Sequence, residues 1–341
     1  MHDSGARMTR AWIITGSFGS GKTTAIRKLM AGKPEHELWM VILNEFTDAG
    51  LDALSVAEAA RGQFDVRLVA GGCLCCVGEL EFGKQLRDIL RNVKPTRLLI
   101  EPSGAGHAAD IIDGLAQYEA QQALVLEGVI CLVDALDARR ILNSRSAPEW
   151  PQIQSADALL LSKPDLAGET ELQAFDAIAA AQYPLKRYVG RCLNGELPPE
   201  SLQRFTRAAA FSQVRNTAAA ESQSAEFAVG GLVGSETQVR QLGLWAIHWI
   251  LPRELEFARI VIEPRLNWLL DSYPGRCRLK AVFRTGPGPS WLIQSHGRGL
   301  SGEDSAYRRD SRMEIVFGAE PGAQFLDLWR ELLRDAANPP R

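Results

Sequence analysis

The sequence predicts an α/β fold, a mostly parallel sheet covered by helices, followed by a smaller α+β domain. Three observations predict it. Short apolar runs rich in β-branched residues recur ahead of turn signals, and helix-like stretches separate them through about the first 200 residues. Past a change of composition near residue 208, strands group together and two helices remain.

The first set of strands is expected at Trp12 to Thr15, Met40 to Leu43, Val66 to Val69, Arg97 to Ile100, Val129 to Val133 and Ala158 to Leu161. These runs are apolar throughout, as strands buried on both faces must be. Helices are expected over Thr23 to Met30, Leu80 to Val93 and Ala108 to Ala116. From Ala208 to Gln238 the chain is rich in Ala, Ser, Gln, Thr and Gly without a clear period and reads as a connector. The division is therefore a nucleotide-type domain over 1–207, a connector over 208–240 and a C-terminal domain over 241–341. In the last, Leu242 to Ile250, Arg278 to Arg284, Ser290 to Gln294 and Met313 to Phe317 read as strands. Arg253 to Ser272 reads as largely helical and Ala323 to Ala336 as a closing helix, and five of the eight Trp fall here, as core.

Composition narrows the class. A chain of 341 residues exceeds the ~100 to 200 of one domain, so two are expected. Hydrophobic residues at 46% and charged residues at 23% exclude disorder and membrane arrays. A net charge of -3 with Lys and Arg spread along the chain excludes a nucleic-acid footprint and a polybasic membrane anchor. The N-terminus runs straight into glycines without a signal-type apolar stretch, and Glu127 interrupts the run from Ala123 to Val133. A cytoplasmic protein is expected. Three of its six cysteines crowd into four positions, which suits reduced, metal-binding thiols better than disulfides.

Gly16-Ser17-Phe18-Gly19-Ser20-Gly21-Lys22-Thr23 follows an expected strand and opens an expected helix, the context of a phosphate-binding P-loop. Glycines let backbone N–H groups curl around a β-phosphate, and the helix N-terminus adds favourable partial charge. Lys22 is expected to bridge the β- and γ-phosphates, Thr23 to ligate Mg²⁺, and Thr24 to complete the nucleotide set. Leu98-Leu99-Ile100-Glu101-Pro102-Ser103-Gly104 then delivers a carboxylate, Glu101, to the Mg²⁺ side, and Gly104 offers an N–H to the γ-phosphate. A carboxylate that merely caps the strand end is the plainer alternative for Glu101.

Ser162-Lys163-Pro164-Asp165 follows another apolar strand. A Lys-x-Asp loop there suits guanine: the carboxylate accepts N1–H and N2–H, a pair that adenine cannot offer, while the Lys stem lies over the ring. The usual first residue is Asn; Ser162 stands in its place. GTP is favoured over ATP.

Gly71-Gly72-Cys73-Leu74-Cys75-Cys76 packs three soft thiolates together, suited to Zn²⁺, Co²⁺ or Cu⁺ with a further ligand from elsewhere. Isolated Cys131, Cys192 and Cys277 read as core thiols.

Taken in order, G-S-F-G-S-G-K-T-T, I-L-N-E-F-T-D-A-G-L-D, G-G-C-L-C-C, I-E-P-S-G-A-G-H, L-V-D-A and S-K-P-D-L resemble the CobW-like P-loop GTPases, relatives of HypB and UreG. The resemblance extends over nearly the whole chain, and the smaller domain, with its R-R-D-S-R-M-E-I-V-F strand, is similar to a CobW-type C-terminal domain. It implies GTP hydrolysis coupled to delivery of zinc, cobalt or another metal to a client protein or cofactor pathway. It also implies that Asn44-Glu45-Phe46 is a switch segment, with Thr47 in place of the family's Gly. Glu45 then becomes a candidate fourth metal ligand, and Asp52, ahead of Asp48, a candidate for the Mg²⁺ side. His107 is open to a metal or switch role, with a solvent-exposed helix-entry histidine the plainer reading. Five histidines without a cluster leave no histidine-rich metal tract. A homo-oligomer stays open, as do two rival readings, a P-loop small-molecule kinase and a redox switch in which Cys73, Cys75 and Cys76 form a disulfide.

Overall fold

The computed structural model describes residues 8–45, 65–70, 79–102, 108–197, 202–203, 205, 221–241, 244–272, 277–296, 299–317 and 321–338. The chain divides into two compact units, Met1–Phe211 and Ser212–Arg341.

In the first unit, strands β1 (Thr9–Gly16), β2 (Trp39–Glu45), β3 (Asp65–Ala70), β4 (Arg97–Glu101), β5 (Leu124–Asp134), β6 (Ala158–Ser162) and β7 (Tyr188–Cys192) form one sheet in the order β3-β2-β4-β1-β5-β6-β7. Every pairing is parallel, so all seven C-terminal ends line one edge. Side chains alternate between the faces: Ala11, Ile13, Met40, Ile42, Leu98 and Ile100 lie in one core, and Trp12, Ile14, Trp39, Val41, Leu43 and Leu99 in another. Both faces are dry, which is why these strands carry no polar alternation. Helix α1 (Lys22–Ala31) covers the second face with Ala25, Ile26, Leu29 and Met30. Helices α2 (Glu79–Asp88), α3 (Ala108–Ala120) and α6 (Glu169–Ala180) cover the first, and α4 (Ala138–Asn143) and α5 (Trp150–Ser155) lie between β5 and β6 in sequence.

Glu127, expected to interrupt the apolar run, instead sits inside β5. The register skips it, Ala11 facing Leu126 and Trp12 facing Gly128, and its carboxylate binds Arg10 at 2.7 Å. A bulge thus fits the charged residue inside the strand and sets it against a partner.

The second unit holds β8 (Glu221–Val229), β9 (Leu232–Gln241), β10 (Leu244–Leu251), β12 (Cys277–Phe283), β13 (Ser290–His296), β14 (Gly299–Ser305) and β15 (Ser311–Phe317) in one antiparallel sheet, ordered β14-β13-β12-β15-β10-β9-β8. Helices α7 (Arg259–Ser272) and α8 (Ala323–Ala336) pack on its apolar face, where Trp249 and Trp329 meet edge-to-face at 6.5 Å.

Three expectations need correction here. Residues 221–240, read as connector, form the β8–β9 hairpin, closed by Gly230-Gly231 with both φ positive. The strands carry small polar residues on the uncovered face, and that hid their period. Arg253 to Ser272 is helical only from Arg259, because β11 (Glu256–Phe257) pairs with β16 (Ala337–Asn338). Trp268 is not core: it is 39% exposed and stacks on Phe325.

Candidate nucleotide and metal site

The turn between β1 and α1 is shaped by glycine. Gly16 has φ +143, and a Cβ there would stand 2.4 Å from the Leu132 carbonyl oxygen of the neighbouring strand. No other residue fits that approach. At the far end Gly21 caps α1 in a left-handed conformation with no side-chain hydrogen bond, and the first turn carries no acid. The leading N–H groups of the helix are thus left for an anion from outside. Thr15, just before the turn, is anchored from behind by its hydroxyl, which donates to Gln152 of α5 at 3.1 Å. Ser20 is buried, and its hydroxyl makes no hydrogen bond among the described residues, while Phe18 projects at 94% exposure.

Lys22 is buried and its ammonium donates to the Ser17 carbonyl at 2.9 Å, curling back over the turn. The Thr23 hydroxyl lies 3.2 and 3.3 Å from the two Glu101 carboxylate oxygens, so the start of α1 and the end of β4 converge on one point. Hydroxyl and carboxylate oxygens together are a donor set suited to a hard cation such as Mg²⁺. Thr24 lies beside Gly195, where a Cβ would come within 2.8 Å of the Thr24 Cγ2.

Across β5 the Ser162 hydroxyl is buried and donates to the Val133 carbonyl at 3.3 Å, tying β6 to β5. Lys163 follows with φ +53, and its ammonium binds Asp134 Oδ2 at 2.5 Å. The other Asp134 oxygen accepts the Leu136 amide at 3.0 Å. Asp165, in the short turn Pro164–Leu166, is exposed.

Glu45 ends β2, in register with Ala70 at the end of β3. Asp48, Asp52, Cys73, Cys75, Cys76, Gly104 and His107 lie outside the described residues. Cys131, Cys192 and Cys277 are buried free thiols; burial pushes Cys131 up to about 12 and Cys192 up to about 11, so both are inert at neutral pH.

Two elements of the site escaped the sequence reading. Asp134 is one: its signal was a carboxylate closing an apolar strand, within the quoted L-V-D-A. The other is the turn Leu193–Gly195 after β7, with Asn194 and Gly195 both at positive φ against the start of α1. The Asn-Gly dipeptide was the available signal.

The family model described as CobW/HypB/UreG, nucleotide-binding domain, matches residues 10–189. The chain belongs to the CobW/HypB/UreG family. It is 38% identical to the zinc chaperone YeiR of Escherichia coli K12 over 161 residues, 46% of this chain and 47% of that protein. To the zinc chaperone YjiA of the same organism it is 33% identical over 165 residues, 47% of this chain and 50% of YjiA. The chain spans about half the length of the curated relatives it matches. A solved structure, the Zn(II)-bound YjiA GTPase from E. coli, aligns over 96% of this chain and 99% of that one, at 19% identity and a TM-score of 0.45.

Proposed function

We propose that this chain hydrolyses GTP to GDP and phosphate and uses that cycle to hold and release a transition metal ion, Zn²⁺ or Co²⁺. The metal is cargo, taken by Cys73, Cys75 and Cys76 with Glu45 and passed to a client metalloprotein or cofactor pathway in the cytoplasm. The observation that carries this reading is the order of strand ends β3-β2-β4-β1. Along one edge it sets Ala70, which leads to the cysteine motif, beside Glu45, then Glu101, then the Gly16 turn. Three steps of ~4.8 Å put about 14 Å between the metal-side and phosphate-side strands, short enough for one segment to sense both. The names of the zinc-chaperone relatives support the same assignment.

In this reading N–H groups along Gly16 to Thr24 grip the β-phosphate, and Lys22 exchanges the Ser17 carbonyl for the β- and γ-phosphate oxygens. Thr23 and Glu101, with Asp52, would hold Mg²⁺, which when bound offsets charge on the β- and γ-phosphates. Gly104 donates its N–H to the γ-phosphate. Asp165 accepts the two guanine N–H groups, while Asp134 fixes the Lys163 stem beside the base and, with Ser162, supports the loop. Intrinsic turnover is slow in this reading, and a partner speeds it.

The test is a competition titration of Zn²⁺ against a chromophoric chelator with no nucleotide, with Mg²⁺-GDP and with a non-hydrolysable GTP analogue. The analogue is expected to tighten Zn²⁺ by the ~1 to 3 kcal/mol of typical coupling, about 5- to 150-fold, with GDP giving less. Metal should be lost in the Cys75→Ala, Cys76→Ala double variant. Three equal affinities would defeat nucleotide-gated delivery.

A further inference from the structure

In the second unit β8 is an edge strand, pairing with β9 alone among the described residues. The two-residue turn makes Val229 and Leu232 a hydrogen-bonded pair, and antiparallel pairing alternates from there. The amides and carbonyls of Gln223, Ala225 and Phe227 therefore face β9, and those of Ser224, Glu226 and Ala228 face outward. Arg334 of α8 confirms the phase by donating from Nε to the Ala228 carbonyl at 3.1 Å, its guanidinium 5.1 Å from the Phe227 ring. The outward backbone groups of Ser224 and Glu226 meet no partner among the described residues.

Between β8 and α8 lies a cleft of about 690 Å³ floored by Phe227. Its lining holds five carboxylates and two guanidinium groups. Arg330 pairs with two of the five, binding Glu236 at 2.6 Å and Asp327 at 2.8 Å. Glu236 is fully engaged: Arg330, Gln238 and Trp249 all donate to it. Burial alone would raise its pKa, and those hydrogen bonds bring it below the usual carboxylate value. The side chains of Glu226, Glu331 and Asp335 take part in no ion pair or hydrogen bond among the described residues. An open backbone ladder thus runs beside a cleft whose unspent charge is negative.

We propose that the β8 edge and α8 form a docking groove for an extended, basic segment of a partner polypeptide, added beside β8 as an eighth strand. Main-chain hydrogen bonds to Ser224 and Glu226 supply the ladder. Alternate Lys or Arg side chains reach Glu331 and Asp335 on the helix side, the division of labour expected of strand addition. The proposal stands apart from the nucleotide and metal reading, since none of these residues belongs to that site.

The experiment measures binding of a fluorescein-labelled peptide of alternating Lys and Val to the full chain. Two controls accompany it, a Glu–Val peptide and a Lys–Val peptide with N-methylated backbone amides. The Lys–Val probe is expected to bind at least about tenfold tighter than either control and to weaken as salt rises. Glu331→Lys with Asp335→Lys should reverse the preference between Lys–Val and Glu–Val. Ser224→Pro, which removes one outward amide at an edge position that tolerates proline, should weaken the Lys–Val probe about tenfold. If Ser224→Pro impairs folding, the N-methylated peptide still tests the ladder on the native chain. Equal binding of both charge types, or no response to the charge reversal, overturns the proposal. So does a dimer that Ser224→Pro dissolves in a protein that binds neither peptide, because the edge would then serve a second copy.

Discussion

Asp134, the last residue of β5, holds the Lys163 ammonium with one carboxylate oxygen at 2.5 Å and the Leu136 amide with the other at 3.0 Å. One side chain thereby joins the loops that follow two neighbouring strands. In the guanine reading it sets the direction of the Lys163 stem, in a loop where Ser162 replaces the customary Asn.

Asp134→Asn should raise the Kd for GTP by about 5- to 30-fold, the ~1 to 2 kcal/mol of a hydrogen bond to a charged group in a half-exposed pair. If Asp134 acts through Lys163, the same change should add little in a Lys163→Met background. A double-mutant cycle by isothermal titration measures this, and fully additive losses would show that Asp134 supports the fold rather than the lysine. Asp165→Asn separates the broader question: it should weaken GTP far more than ATP, and equal losses would reject guanine recognition by this loop.

The Thr23–Glu101 contact makes a different demand. In the proposed site both groups serve the cation, and neither supports the core, since each lies at the sheet's C-terminal edge and only partly buried. Thr23→Ala and Glu101→Gln should lower the rate of GTP hydrolysis at least about 100-fold, the scale of losing one positioned electrostatic group. The melting temperature should stay unchanged. Titrating Mg²⁺ discriminates further, because Glu101→Gln should raise the concentration needed for half-maximal rate. A rate near wild type in both variants would remove these residues from the site.

Just ahead of β7, Lys186 is partly buried by surface, and its ammonium donates to the carbonyls of Gln154 and Ala156 at 3.0 and 2.8 Å. Desolvation brings its pKa down from 10.5 to about 8, with Asp157 and Cys131 opposing. Between those values the unfolded chain binds the proton and the folded chain does not, so stability rises with pH from about 8 toward 10.5. Over the whole window this is worth about 3 kcal/mol. Cys131 has the opposite sign above pH 9, because its thiol ionises only in the unfolded chain. Urea unfolding of wild type and Lys186→Met at successive pH values isolates the lysine. The wild type should gain on the variant as pH rises from 8, and parallel curves would show that Lys186 keeps its proton.

The alternation of apolar runs and helices was legible because β1, β2, β4 and β6 are dry on both faces and carry no ambiguity of period. The P-loop was legible for a related reason, since Gly16, Gly19 and Gly21 all stand at positive φ, where a substitution is strained. Strand β7 and the β8–β9 hairpin were not legible. Tyr188 to Cys192 is a partly exposed edge strand, and Glu221 to Gln241 carries polar residues on an uncovered face, so neither shows the apolar run by which strands are recognised.

What the sequence by itself determined was the spacing of near neighbours: the glycine turn from Gly16 to Thr23, the three cysteines within Cys73 to Cys76 and the Lys163-x-Asp165 loop, each set within a few residues. What only the tertiary structure decided was which distant positions meet. The strand order β3-β2-β4-β1-β5-β6-β7 brings Thr23 to Glu101, Lys163 to Asp134 and Gly195 to Thr24, and it sets Glu45 beside Ala70. Spacing along the chain carries no record of such pairs, because parallel strands meet only through crossover connections, and hydrogen-bonded register then decides which residues face one another.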